Sequence, residues 1–283
     1  MGAVGELGHW SGAPAGGVAE LLADADRPGG WLLLLDRVRQ SYVDIDDPSY
    51  LDFEYMQTFV NVLDALPPGP LAVTHVGGGA CTLARYLGQQ RPGSPQIVLE
   101  PDAALTAMVR ARLPFARGTR VRIRPIGGRA GVAALAAASA DVVVVDAFHG
   151  GRVPAELTTA EFLADVARVL RPAGVLLVNV ADGPPGVFVQ RLVSTLRGAL
   201  PAVLLIADPA VLKRRRFGNL VLAASRDELP VAEVTRAARA AAFPHRVLGG
   251  PELAAFAGGA APLTDADPMR SPPPPEEMWR VGG

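Results

Sequence analysis

Three consecutive glycines, Gly77-Gly78-Gly79, follow the apolar run Leu71–Val76, and a lone carboxylate, Glu100, follows the next such run, Gln96–Leu99. A glycine turn lets backbone approach a ligand closely. An acid about 20 residues further on can accept hydrogen bonds from ribose hydroxyls, so the pair points to a nucleoside held beyond two neighbouring strands. Each half also has an ordinary reading, as a tight turn without ligand and as an acid at a helix start. A dinucleotide fingerprint would need a third glycine at position 82, where the chain has Thr82. Gly127-Gly128, after a third strand pattern, and Ala181-Asp182, after a later one, join the same set, all expected to converge on one crevice with Asp146. Asp146 ends the most hydrophobic segment, Ala140–Val145. An ionised carboxylate there is costly unless it meets water, a partner or a ligand. It either caps the next loop or acts on substrate, orienting an amine or serving as general base.

Other chemistry-bearing residues are less specific. His149 reads either as a hydrogen-bonding loop residue or as an acid/base group beside Asp146. His75 lies inside a strand pattern and reads as structural. Cys81 starts a helix, where a thiolate is favoured, yet a lone thiol is ordinarily packing. No Cys, His and acid set has metal-ligand spacing, so no metal is expected. The run Lys213-Arg214-Arg215-Arg216 is either a solvated charge cluster or a rim suited to an anionic substrate.

The elements that must carry these residues alternate. Strands are expected at 71–76, 96–100, 121–126, 140–146, 174–181, 202–207 and 218–225. Helices are expected at 80–90, 102–112, 130–138, 159–170, 186–199 and near 230–242. Thr158 and Glu161 have the spacing of a capping box for the fourth of these helices. Continuous aliphatic strands covered on both faces imply a mostly parallel, doubly wound sheet. The last two strands have no helix pattern between them, which implies an antiparallel final strand and a class I methyltransferase-type Rossmann-like sheet. Before it, 31–36 and 40–45 read as strands, so 18–46 reads as a small hairpin element, and 50–66 has apolar residues at helical spacing. Pro67-Pro68-Gly69-Pro70 ends that helix. The expected organisation is 1–66 as an N-terminal segment with loose residues 1–17, a β hairpin and a helix. Residues 67–262 form the nucleoside-binding domain, and 263–283 a Pro-rich, extended tail.

The 283 residues are 49% hydrophobic with formal net charge −1, enough for a substantial core and without a charge case for nucleic acid or anionic membrane. One cysteine excludes an intrachain disulfide. The longest apolar runs fall well short of the ~20 residues of a membrane helix. No basic segment followed by an apolar core opens the chain, so a cytoplasmic location is expected.

On these residues the chain resembles the spermidine/spermine synthase family, the aminopropyltransferases. The resemblance runs from about Trp31 to Ser225. It is carried by Leu35-Asp36 with Gln40, His75–Gly79, Val98-Leu99-Glu100, Asp141–Asp146, and Val153–Phe162 leading into Leu170–Gly174. It implies a small N-terminal β domain and a small-molecule substrate. It also implies a site for S-adenosylmethionine or its decarboxylated form, with methylthioadenosine as product, and a dimer or larger assembly. By match of motif, Gln40 would contact the aminopropyl end, Gly77, Gly78, Gly79, Gly127 and Gly128 the nucleoside, and Glu100 the ribose. Asp146 would be the catalytic carboxylate, with His149 beside it.

The departures fall on the chemistry. The acid that usually follows the glycines is Ala80, the Gly-Asp after the third strand is Gly127-Gly128, and the second acid after the catalytic one is His149. The usual Tyr-His-Glu of the polyamine site reads Asp52-Phe53-Glu54. Asp52, Glu54 and Arg216 are the remaining substrate-binding candidates, and Asp44, Asp46 and Asp47 could compensate for lost charge. The reading is a transferase with weakened polyamine chemistry. A diverged methyltransferase or specialised-metabolism enzyme acting on a non-polyamine, anionic substrate and a non-catalytic nucleoside-binding homologue are the alternatives.

Overall fold

The structure, a computed structural model, describes residues 9–12 and 17–275. Two sheets carry the fold. The smaller is an antiparallel meander of β1 (His9–Gly12), β2 (Ala19–Ala23), β3 (Gly30–Leu35) and β4 (Val38–Asp44), in that spatial order. The sequence placed a small hairpin element at 18–46 and read strands only in its second half, β3 and β4. β1 lies within residues expected to be loose, because its Gly- and Ala-rich surroundings carry no apolar alternation. The remainder of that stretch, 1–8 and 13–16, lies outside the described residues. β3 and β4 join through Asp36 and Arg37, both with φ above zero (+48° and +65°). That backbone matches the twist of a two-residue hairpin.

The larger sheet has the order β12-β10-β11-β9-β8-β5-β6-β7. Its parallel half consists of β5 (Val73–Val76), β6 (Gln96–Leu99), β7 (Val121–Arg124), β8 (Ala140–Val145) and β9 (Leu170–Asp182). Beyond it, β11 (Gly218–Ser225) runs antiparallel to both β9 and β10 (Ala202–Ala207). That reversed strand is the one expected from the missing helix between the last two strand patterns. A further edge strand, β12 (Arg246–Gly249), pairs antiparallel with β10 and had no clear signal in its four mixed residues.

Helices α1 (Glu54–Asp64), α2 (Thr82–Gln90) and α8 (Val231–Ala240) cover one face, around Phe59, Leu63, Leu87 and Val234. The other face is covered by α4 (Gly128–Ala133), α5 (Ala160–Val169), α6 (Val187–Ala199) and α9 (Gly250–Ala257), around Phe162, Phe188 and Leu253. A short α7 (Pro209–Leu212) follows β10. Helix α4 is earlier and shorter than expected. Helix α5 is capped by Thr159, whose hydroxyl accepts from Phe162 N, and not by Thr158. The Glu161 carboxylate that would complete a capping box instead accepts from Asp265 N, 104 residues away.

Helix α3 (Ala103–Arg112) joins the two sheets. Its Leu105, Met108 and Val109 pack with Leu21, Leu33, Val43 and Ala80 in one apolar cluster. The small sheet therefore lies over the glycine loop and α3. At the other terminus, the chain after α9 is ordered against the body up to Pro275, where the sequence suggested a free tail. Arg191 pairs with Asp267 and Arg129 with Asp265, and Leu263 is fully buried.

Candidate active site

Most of the expected residues converge where the parallel strands end; Ala181 and Asp182 lie outside the cavity lining, the Asp182 carboxylate being committed to the Gly183 and Val189 amides. The loop after β5 reverses tightly against the loop after β8. Gly77 has φ +99°, and a Cβ there would lie 2.2 Å from the Asp146 carbonyl oxygen, so only glycine fits. Gly79 (φ +47°) faces Ser41 of β4, whose hydroxyl accepts from Ala80 N at 3.2 Å. The loop is also held from below. The buried Arg85 of α2 donates to the carbonyls of Ala80, Leu113 and Pro114.

Glu100 accepts from Gly78 N through one oxygen and from Asp102 N through the other, both at 2.9 Å. It thereby ties the glycine loop to the loop after β6 and keeps lone pairs for further donors. Its ordinary reading, a cap for the next helix, belongs to Asp102, which accepts from Leu105 N.

Asp146 follows the end of β8 and is half-buried. Tyr55 Oη of α1 donates to one carboxyl oxygen at 3.2 Å, and Asn179 Nδ2 of β9 donates to the other at 2.9 Å. Asn219 Nδ2 of β11 donates to Asn179 Oδ1 at 3.1 Å. Burial pushes the Asp146 carboxyl up to about 6, with the Asn179 and Tyr55 bonds pulling against it. A carboxylate titrating there holds or takes a proton near neutral pH.

These residues line a cavity of about 460 Å³, which is the size range of small-ligand pockets. It brings together Gln40, Gly77, Gly78, Gly79, Glu100, Gly127, Gly128, Asp146 and His149. It is also lined by Ser41, Tyr55, Asp102, Phe148 and Glu156, and by no Arg or Lys among the described residues. His149 sits exposed at its mouth, in a tight turn where its backbone pairs with Arg152. His75 is buried, bonded to Gln96 Oε1 at 2.8 Å, and burial lowers it to about 4, which keeps it neutral. Burial likewise pushes the Cys81 thiol up to about 12, so the helix start does not make it a thiolate.

Three substrate-binding candidates lie elsewhere. Asp52 pairs with Arg39 at 2.7 Å, Glu54 faces His245 at 3.9 Å, and Arg216 pairs with Asp208 at 3.1 Å, all outside the cavity lining. Their sequence neighbours placed them near the site, but Asp52 and Glu54 face partners on other segments and Arg216 a partner on its own loop. Arg214 lies over the Phe256 ring, 5.4 Å from its centre, so the Lys213–Arg216 run forms no cavity wall. Asp44 is committed to Arg27 and to the Asp46 and Asp47 amides, so it supplies no charge to the cavity. Sequence reasoning missed Tyr55 and Asn179. Tyr55 reads as one of the apolar positions of α1, and Asn179 is a single polar residue in the aliphatic run 174–181. That lone interruption was the available signal.

No family model matches the chain. A polyamine aminopropyltransferase from Chromobacterium violaceum is 28% identical over 163 residues, spanning 56% of this chain and 61% of that protein. The match thus covers less than two thirds of that curated relative. A probable spermidine synthase from Corynebacterium glutamicum has a solved structure that superposes with a TM-score of 0.85 at 31% identity, over 92% of this chain and 97% of that one. Human methyltransferase-like protein 13, solved in complex with SAH, superposes with a TM-score of 0.53 at 20% identity over 65% of this chain and 90% of its own, a likeness of fold.

Proposed function

The chain belongs to the spermidine synthase family, and from that premise we propose that it transfers an aminopropyl group from decarboxylated S-adenosylmethionine to a small amine. The observation that carries this reading is the charge of the cavity. Glu100, Asp102, Asp146 and Glu156 line it, and among the described residues no Arg or Lys does. A sulfonium nucleoside with an ammonium arm suits such walls, whereas the carboxylate of intact S-adenosylmethionine has no cationic side chain to meet there.

In this reading Glu100 accepts from the ribose hydroxyls. The glycine loop lies along the nucleoside, Gly127 and Gly128 border it, and Gln40 faces the aminopropyl arm. The acceptor amine must be neutral to attack. Its nitrogen lone pair bonds to the carbon beside the sulfonium, the carbon–sulfur bond breaks, and the bond pair returns to sulfur as a neutral thioether nucleoside. The proton that the acceptor ammonium must lose before attack goes to Asp146, raised to about 6, and the product nitrogen leaves as an ammonium. Ala80 supplies no charge to the aminopropyl ammonium. The loss of one charge-assisted contact weakens binding by ~1–3 kcal/mol relative to a site that has it. The anionic-substrate reading has no support from the Lys213–Arg216 run, which stands off the cavity.

Calorimetry with three ligands tests the proposal. Decarboxylated S-adenosylmethionine and methylthioadenosine are expected to bind, with intact S-adenosylmethionine at least tenfold weaker. Asp146→Asn is expected to retain nucleoside binding and lose turnover with a diamine by at least a hundredfold. Tighter binding of intact S-adenosylmethionine, or binding of none of the three, would sink it.

A further inference from the structure

We infer that Asn219, which lies outside the cavity lining, is a positioning residue: it holds Asn179 in the one amide orientation that presents a donor to Asp146. The three side chains form a row across three neighbouring strands. Val145 of β8 is in register with Val178 of β9, so Asp146 and Asn179 are the next pair along. Val221 of β11 is in register with Asn179, which makes Asn219 its diagonal neighbour on the same face.

The chemistry of the groups dictates the direction of each bond. An ionised carboxylate only accepts, and a side-chain amide has one donating and one accepting end. Asn179 is 1% exposed, so no bulk water competes for either end. With Asn219 Nδ2 donating to Asn179 Oδ1 at 3.1 Å, the Asn179 nitrogen faces Asp146 at 2.9 Å. The opposite orientation would set an amide oxygen against the carboxylate, two acceptors with no proton between them. Without the Asn219 donor, both orientations of Asn179 become accessible.

This matters because, among the described residues, no cation pairs with Asp146. Tyr55 donates to its second oxygen from α1, His149 lies on its own loop, and Glu100 and Glu156 share the cavity. The ionised form therefore depends on neutral donors, and the Asn219–Asn179 pair fixes one of two. The consequence for turnover rests on the proposed role of Asp146, while the geometry does not.

The test follows the Asp146 carboxyl by NMR of protein labelled with 13C at the aspartate carboxyl carbon, its signal assigned by loss in Asp146→Asn. Asn219→Leu is expected to raise the titration midpoint by about one pH unit. Asn219→Ser, which keeps a shorter donor, is expected to raise it by less, and it carries the test if the leucine variant does not fold. A folded variant whose midpoint is unchanged or lowered overturns the inference. Calorimetry of the wild-type protein with methylthioadenosine separates the two claims. A raised midpoint without nucleoside binding supports the positioning role and overturns the functional reading alone.

Discussion

Ala80 shows how burial decides what a position can do. It follows the glycine loop, where the resembling family usually carries an acid, and it is fully buried among Leu21, Leu33, Val43 and Leu105. Its side chain packs among apolar groups, its amide is already bonded to Ser41, and its carbonyl accepts from Arg85 Nε at 2.9 Å. An acid there would lose its hydration, and the neighbouring cation, Arg85, is already committed to the carbonyls of Ala80, Leu113 and Pro114. Ala80→Asp is therefore expected to destabilise the fold by several kcal/mol rather than restore substrate affinity. Urea unfolding together with calorimetry against decarboxylated S-adenosylmethionine would check this. A folded variant that binds the nucleoside more tightly would sink the idea. The same logic explains why Asp52, Glu54 and Arg216 were misplaced by sequence reasoning. Charge type and proximity along the chain name candidates, but the salt bridges to Arg39, His245 and Asp208 are made with residues far from the motif or turned away from the cavity.

Among the elements, the segment after α9 changes the picture most. Ser271, fully buried, accepts from Val153 N through its hydroxyl at 2.8 Å, and its carbonyl accepts from Arg152 Nε at 2.6 Å. These bonds pin the loop from His149 to Val153, and His149 lines the cavity. Ser271→Ala leaves a buried amide unpaired and is expected to cost ~1–3 kcal/mol locally. Hydrogen exchange should then accelerate at residues 149–154 while β5 and β8 stay protected. Uniform acceleration, or none, would rule out a local clamp. The prolines at 272–275 suggested an extended or disordered tail from composition, but composition could not show what the segment before them docks on. The alternating strand and helix patterns were legible because aliphatic runs and helical spacing are local properties. The strands β1, β2 and β12 were not, being short and lacking alternation.

Across the whole molecule, two buried groups oppose each other in pH dependence. Asp146 moves from an ordinary 3.8 to about 6. Between those values the folded protein holds a proton that the unfolded chain has released, so stability falls as pH rises through the window. His75 moves from an ordinary 6.5 to about 4. There the unfolded chain holds the proton, so stability rises with pH over nearly the same window. Removing Asp146 should expose the His75 slope. Asp146→Asn is expected to gain up to ~3 kcal/mol over the wild type between pH 4 and pH 7. Urea unfolding at pH 4, 5.5 and 7 measures the difference, and a constant or shrinking gap would count against it. The site would then carry a stability cost at neutral pH that the fold offsets elsewhere.

The sequence by itself determined the strand–helix alternation, the reversed strand near the end of the sheet, and the Gly77–Gly79 and Glu100 pair, because each is written in local spacing. Only the tertiary structure decided which carboxylates share a cavity and what surrounds them. Tyr55 and Asp146 are 91 residues apart, and the donors on Asp146 come from α1, β9 and, through Asn179, β11. Desolvation and hydrogen-bond direction depend on these meetings between distant segments, and no stretch of sequence contains them.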